Sequence, residues 1–272
     1  MDKTTLFGLI LGIGAVFGGA LLDGTPFVSL ISLPAFMIVI LGTLGATIVS
    51  NPLENAVLLP TLLRRAFFDK GQSGGELVDL IVNLATRARK EGVLSLDNEL
   101  PNLADPFMQK GIQLVVDGAD EEVIKQVLEA DIAATAARHQ AGYAMFDMMG
   151  GFSPTLGIIG AVIGLIHVLS QVADPTKLAA GIAVAFVATL YGVSTANLIY
   201  FPIGNKLRIR SEQEKHLRGL ILQGILAMQA GENPRIIRDK LDVFLSPKHR
   251  RNPSAAQKSE APQGAAPAAE AV

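Results

Sequence analysis

Residues 153–171, SPTLGIIGAVIGLIHVLSQ, contain no Asp, Glu, Lys or Arg. A helix that crosses a bilayer needs about 20 consecutive, predominantly apolar residues, and this stretch meets that need. Three others do as well, at roughly 4–22, 33–51 and 178–202. Charge is excluded from all four. Between Thr4 and Leu53 the only formal charge is Asp23, and between Met148 and Asn205 the only ones are Asp174 and Lys177. Pro26, Ser29, Ser32 and Pro34 separate the first two stretches, and the Asp174-Pro175-Thr176-Lys177 turn separates the last two. Both connections are short, so the expected architecture is all-α: a polytopic membrane protein with four transmembrane helices in two hairpins and a helical cytoplasmic domain.

The first stretch has a basic start at Lys3 but a longer apolar run than a signal peptide carries, and a second span follows at once. It reads as a retained span. Across the 272 residues, half are hydrophobic and 18% are charged, below the quarter or so usual for soluble domains. There are no cysteines, which excludes disulfides, thiolate nucleophiles and cysteine metal sites. A net charge of −2 gives no electrostatic footprint for nucleic acid.

Basic residues set the expected orientation, because they concentrate on the cytoplasmic side. Lys3 precedes span one, nine basic residues lie in 51–150, twelve follow Pro202, and Lys177 alone lies in an outer loop. Both termini and the central segment are therefore expected in the cytoplasm. The expected domains are a transmembrane hairpin at 1–52, a cytoplasmic helical domain at 53–150 and a second hairpin at 151–203. Cytoplasmic helices follow at 204–245, then a tail at 246–272 whose Pro, Ala and Ser content without periodicity reads as disordered.

Within the central segment Leu77, Leu80, Ile81, Leu84 and Ala88 recur at helical spacing and predict one buried face. Asp120 is a good N-cap, with Glu121 and Glu122 where the helix dipole favours acid. Val123, Val127, Leu128 and Ile132 continue an apolar stripe, and no proline intervenes before Pro154, so one helix is expected from about 120 into span three. Gly8 with Gly12, Gly14 with Gly18, Gly160 with Gly164, and Ala188 with Gly192 and Ala196 make small-x-x-x-small faces that let backbones approach closely in lipid. Such faces serve packing within one subunit or against identical subunits and partner helices.

Four blocks resemble one family. Residues 151–166, GFSPTLGIIGAVIGLI, look like span three of MotA/PomA proteins, and residues 185–192, AFVATLYG, leading to Phe201-Pro202, resemble their span four. Residues 107–118, FMQKGIQLVVDG, and 231–237, GENPRII, match cytoplasmic blocks; the likeness covers about 1–246. The resemblance implies a flagellar motor stator, in which several copies of this chain surround a dimer of a single-span MotB/PomB-type partner. That partner is expected to supply the ion-binding aspartate and to anchor to peptidoglycan, while this chain acts on a rotor protein of the C-ring. The charges fit this division. A buried ionisable group in a membrane is costly and kept for function, yet Asp23, Asp174 and Lys177 fall at span edges, so a titrating group must come from another chain.

The candidate ion-pathway residues are Thr189, Ala161 and Ala188. Thr189 lies near the middle of span four; its hydroxyl either bonds its own helix or, as the resemblance implies, lines the pore. Sodium-type relatives tend to carry threonines at the positions of Ala161 and Ala188, where alanine offers no oxygen ligand. H⁺ is therefore expected over Na⁺ as the transported ion, with no cofactor, although the rest of the sequence leans to the PomA-like branch. Pro154 and Pro202 either mark helix ends or kinks or, by the resemblance, carry conformational coupling to the cytoplasmic part. Arg89, Lys90, Asp97 and Glu99 flank Gly92 in a charged turn; the pattern looks like the family's rotor-contact charges, with Asp97 in place of the more usual Glu. His167, one turn from the outer end of span three, is a titratable side chain inside an apolar stretch and a candidate relay.

No phosphate-loop motif and no Ser/His/Asp constellation is present, so an enzyme is not expected. The competing readings are an ExbB/TolQ-type energiser, which typically has one span before its large cytoplasmic segment where this chain has two, and a non-conducting membrane scaffold. A self-sufficient transporter would need a coupling charge within a span, and none is there.

Overall fold

The computed structural model describes residues 3–68, 73–170 and 175–245, and among them every regular element is helical. Asp174, the side chain of Lys177 and the tail from 246 onward lie outside the described residues. The chain divides into two compact units: the described residues of Met1–Gly71 with Asp131–Lys215, and those of Gln72–Ala130 with His216–Val272.

The first unit holds the apolar helices. Four are long and apolar enough to cross a membrane, as expected. Span one, Lys3–Leu22, ends at a turn in which Gly24 takes φ +79°, a conformation that favours glycine. A short 3-10 turn, Phe27–Leu30, leads to Ser32, whose Oγ accepts the Ala35 N–H at 3.3 Å. Pro34 follows in the first helical turn, where a missing N–H leaves no helical bond unmade. Span two then runs through Leu33–Phe36, a π turn at Met37–Leu41, and Gly42–Val49. Thr43 and Thr47 are wholly buried in it; their hydroxyls donate to the carbonyls of Val39 at 2.5 Å and Thr43 at 2.7 Å, so no polar group is left open in apolar surroundings.

Span three is the latter part of one helix, Glu121–Leu169, of 49 residues. It begins directly after Asp120, whose carbonyl accepts the Ile124 N–H at 3.0 Å. The expected long helix is there, and Pro154 lies inside it without ending it. Span four comprises Pro175–Thr195, a π turn at Ala196–Tyr200, and the start of Phe201–Gln229. Pro202 cannot donate to the carbonyl of Leu198. The ladder shifts instead: Phe201 N–H bonds Ala196 O, five residues back, which is the π pattern.

Spans three and four touch backbone to backbone. A Cβ on Gly192 would stand 2.6 Å from the Ser153 carbonyl oxygen, one on Gly157 2.9 Å from the Ala188 carbonyl oxygen, and one on Gly164 2.9 Å from Ala185 Cβ. Of the small-residue faces read from the sequence, the one in spans three and four thus forms a seam within the chain. Span one behaves differently: Gly12 meets Leu198 at 3.1 Å, whereas Gly8, Gly14 and Gly18 face open space.

The second unit packs Gly74–Glu91, the 3-10 segment Val93–Asn102, Pro106–Val116 and Pro234–Asp242 with parts of the two long helices. Its core includes Leu77, Ile81, Leu84, Leu96, Met108, Ile112, Ile124, Leu128, Leu220, Ile225, Ile237 and Leu241. Two expectations are corrected. Leu80 is 37% exposed, because the buried face of its helix is centred on Ile81 and takes in Val78 and Ala85 instead. Val123 is 46% exposed, because the stripe on the long helix runs one residue further round, through Ile124 and Leu128.

The seam yields a stability prediction. Gly192→Ala forces a methyl against the span-three backbone, and overpacking of this kind costs about 1–3 kcal/mol. Its unfolding midpoint in detergent is expected below that of the parent, while Gly14→Ala, with room for a methyl and a better helix former in place of glycine, does not lower it. Equal midpoints for both variants would contradict the seam.

Candidate functional site

Span four presents three faces. Ala185, Ala188 and Gly192 lie against the glycines of span three, and Ala188 also packs with Ala35 and Val187, with Tyr191 beside them. On the third side Phe186 is 70% and Val193 46% exposed, with Thr189 half-buried between them along the chain. The hydroxyls of Thr43, Thr47 and Thr195 are each given to a carbonyl four residues back. That of Thr189 makes no hydrogen bond to any described residue. It is a hydroxyl near the middle of span four left open to an incoming group.

The other pathway candidates occupy different settings. Ala188 is 2% exposed and belongs to the seam: a Cβ on Gly160 would come within 2.8 Å of its methyl. Ala161, next to Gly160, is half-buried. His167 is exposed near the end of its helix, beside Ser170, whose hydroxyl donates to the His167 carbonyl at 2.6 Å.

Pro154 and Pro202 lie at successive contacts between spans three and four. A Cβ on Gly192 would approach Pro154 Cα at 3.2 Å, and one on Gly150 would collide with the ring of Phe201 at 2.5 Å, directly before Pro202. Between them Ser153 Oγ and Thr195 Oγ1 share a 2.7 Å hydrogen bond, with Ser153 wholly buried. Beyond the prolines, Arg208 binds Asp147 at 2.5 Å and stands 5.1 Å from the centre of the Tyr143 ring, tying the two helices again. Sequence reading missed these pairs because their partners are 42 and 61 residues apart.

The charged turn has an internal brace that sequence reading also missed. Gly92, at φ +87°, ends the helix Gly74–Glu91 and starts Val93–Asn102. Across it, Arg87 bonds Glu91 at 3.1 Å and pairs closely with Glu99. The hydrogen bond to Glu91, then the charge of Glu99, raise the Arg87 guanidinium above its ordinary pKa, so it stays cationic. The Arg87 and Glu91 spacing of four was a visible signal; the Glu99 contact was not. Of the four candidates, Arg89, Lys90 and Asp97 are exposed, while Glu99 is half-buried and held by Arg87.

Four membrane-length helices, two of them packed through a glycine seam, define a polytopic helical membrane protein. The sequence matches the MotA/TolQ/ExbB proton channel family over residues 99–219 and the Motility protein A N-terminal family over residues 6–92. It is 38% identical to Motility protein A of Bacillus subtilis (strain 168) over 251 residues, covering 92% of this chain and 93% of that protein. It is 37% identical to Chemotaxis protein PomA of Vibrio alginolyticus over 246 residues, with coverage of 90% and 96%. A chain of the flagellar MotAB stator complex from Bacillus subtilis superposes with a TM-score of 0.86 at 37% identity, covering 91% of this chain and 98% of that one. The chain belongs to the motility protein A family. It is an inner-membrane protein and not an enzyme.

The brace makes a separable prediction. Arg87→Glu and Glu99→Arg should each speed hydrogen exchange of backbone amides in 93–102, and the combined charge swap should restore protection. Failure of the swap to restore it would leave Glu99 free for outside contacts.

Proposed function

We propose that this chain is a stator subunit of the bacterial flagellar motor, with both termini and the central segment in the cytoplasm. Several copies surround a single-span MotB-type partner, and together they conduct ions inward and turn that flow into torque on the rotor. The observation that carries this reading is the mid-span hydroxyl of Thr189, which makes no hydrogen bond to a described residue, set in spans free of Asp, Glu, Lys and Arg. A carboxylate at the bilayer centre costs about 2.5–3.5 kcal/mol on insertion scales, and none is built into these spans. The ion-binding carboxylate therefore comes from the partner, and Thr189 offers it or its ion an oxygen.

The transported ion is H⁺. Ala161 and Ala188 carry no oxygen ligand for Na⁺, a hard cation that prefers oxygen. No cofactor takes part. Pro154 and Pro202 carry motion from the seam along the helices Glu121–Leu169 and Phe201–Gln229, each of which contributes residues to both units. Arg89, Lys90 and Asp97 meet the C-ring protein, with Glu99 shaping the same turn through Arg87. Exposed charges of both signs suit fast, salt-sensitive encounters with a moving partner.

Two substitutions test the assignment in a strain lacking its own stators. Thr189→Ala should cut torque at least tenfold with normal amounts of complex in the membrane; normal swimming would remove Thr189 from the pathway. Arg89→Glu should impair rotation and be partly rescued by an opposite charge change on the rotor. If no rotor charge change rescues it, the turn is only a solvated surface.

A further inference from the structure

Tyr191 stands two residues beyond Thr189, and two residues turn a helix by roughly 200°. Its side chain therefore points nearly opposite to that of Thr189, toward the segment that enters span two. There the Tyr191 hydroxyl donates to the Leu30 carbonyl at 2.7 Å and accepts the Ser32 N–H at 3.3 Å. Leu30 and Ser32 are each 8% exposed and Ala35 2%, so the contact is dry. Both backbone groups need it. Leu30 ends its 3-10 turn and Ile31 and Ser32 are extended, so no following helical N–H reaches its carbonyl. Ser32 is the N-cap of its helix, so its own N–H has no helical acceptor. One phenol supplies both missing partners, and neither would find water in a membrane.

We propose that Tyr191 is the positioning residue of the ion path: its hydroxyl fixes the rotation of span four, so that Thr189 faces away from the first hairpin onto the open side. Two further observations agree. Ala188, directly before Thr189, faces the seam, and the exposed Phe186 and Val193 lie on the side to which Thr189 is left. A ring without its hydroxyl would keep the packing with Ala35 and Val187 but lose the polar lock. The proposal rests on the assignment of Thr189 to the ion path, and its test separates the two.

The chain has no cysteine, so single cysteines report rotation cleanly in the complete complex with its partner, in native membranes. Thr189→Cys and Val187→Cys are each labelled with a small cationic methanethiosulfonate, in the parent and with Tyr191→Phe. In the parent, position 189 should react at least tenfold faster than position 187; Tyr191→Phe should reduce that contrast below threefold. With Thr189 intact, Tyr191→Phe should also at least halve the torque added by each stator, measured as speed steps of a tethered bead, while leaving the amount of complex unchanged. An unchanged contrast with Tyr191→Phe overturns the proposal, as does a fall in complex abundance with unchanged step height. A lost contrast with unchanged torque also overturns it, by separating the rotation from ion flow. The Thr189 assignment itself fails only on the torque of Thr189→Ala, so the two failures are distinguishable.

Discussion

The contact on which the rest depends is the crossing of spans three and four at Gly157 and Gly192, where a single added methyl would strike the opposite backbone. In a bilayer the lipid tails are as apolar as leucine, so helices gain nothing by hiding from solvent and associate through close packing and hydrogen bonds. Glycines give that packing its depth, and the Ser153 to Thr195 bond adds a polar tie beside it. Once the crossing is fixed, Ala185 and Ala188 must face span three, and the opposite side of span four is left without neighbours in the chain. That crossing, together with the Tyr191 contact to Leu30, leaves Thr189 on the open side.

The same crossing explains where motion could enter. Pro154 lies beside it and Pro202 further along span four, and each removes a hydrogen bond from a helix that nevertheless continues. The π turn at Ala196–Tyr200 absorbs the loss at Pro202. A helix with a shifted ladder is easier to bend there than elsewhere, and the Arg208 to Asp147 bond holds the two helices together just beyond the bend. On the proposed function, the energy for bending comes from outside this chain, since its spans carry no Asp or Glu.

What could be read from sequence was whatever repeats along one helix. The four spans, the long helix after Asp120 and the small-residue face of spans three and four are all periodic or compositional, and they are present as expected. Contacts between distant positions were not readable. Nothing local marks Tyr191 as the partner of Leu30, or Asp147 as that of Arg208. Leu80 shows the limit of periodicity itself: it has the right spacing for the buried face, yet lies at its edge because neighbouring elements settle on Ile81. For the candidate site, the seam around Ala188 and the brace on Glu99 needed three dimensions, whereas the absence of charge from the spans did not.

The central claim is a stator driven by protons, and swimming speed tests it most directly. A strain without its own stators would express this chain with its single-span partner and a compatible rotor, in sodium-depleted and sodium-replete buffer. The account predicts equal swimming in both and its collapse on adding a protonophore at fixed internal pH. Swimming only with sodium, unaffected by the protonophore, would contradict it.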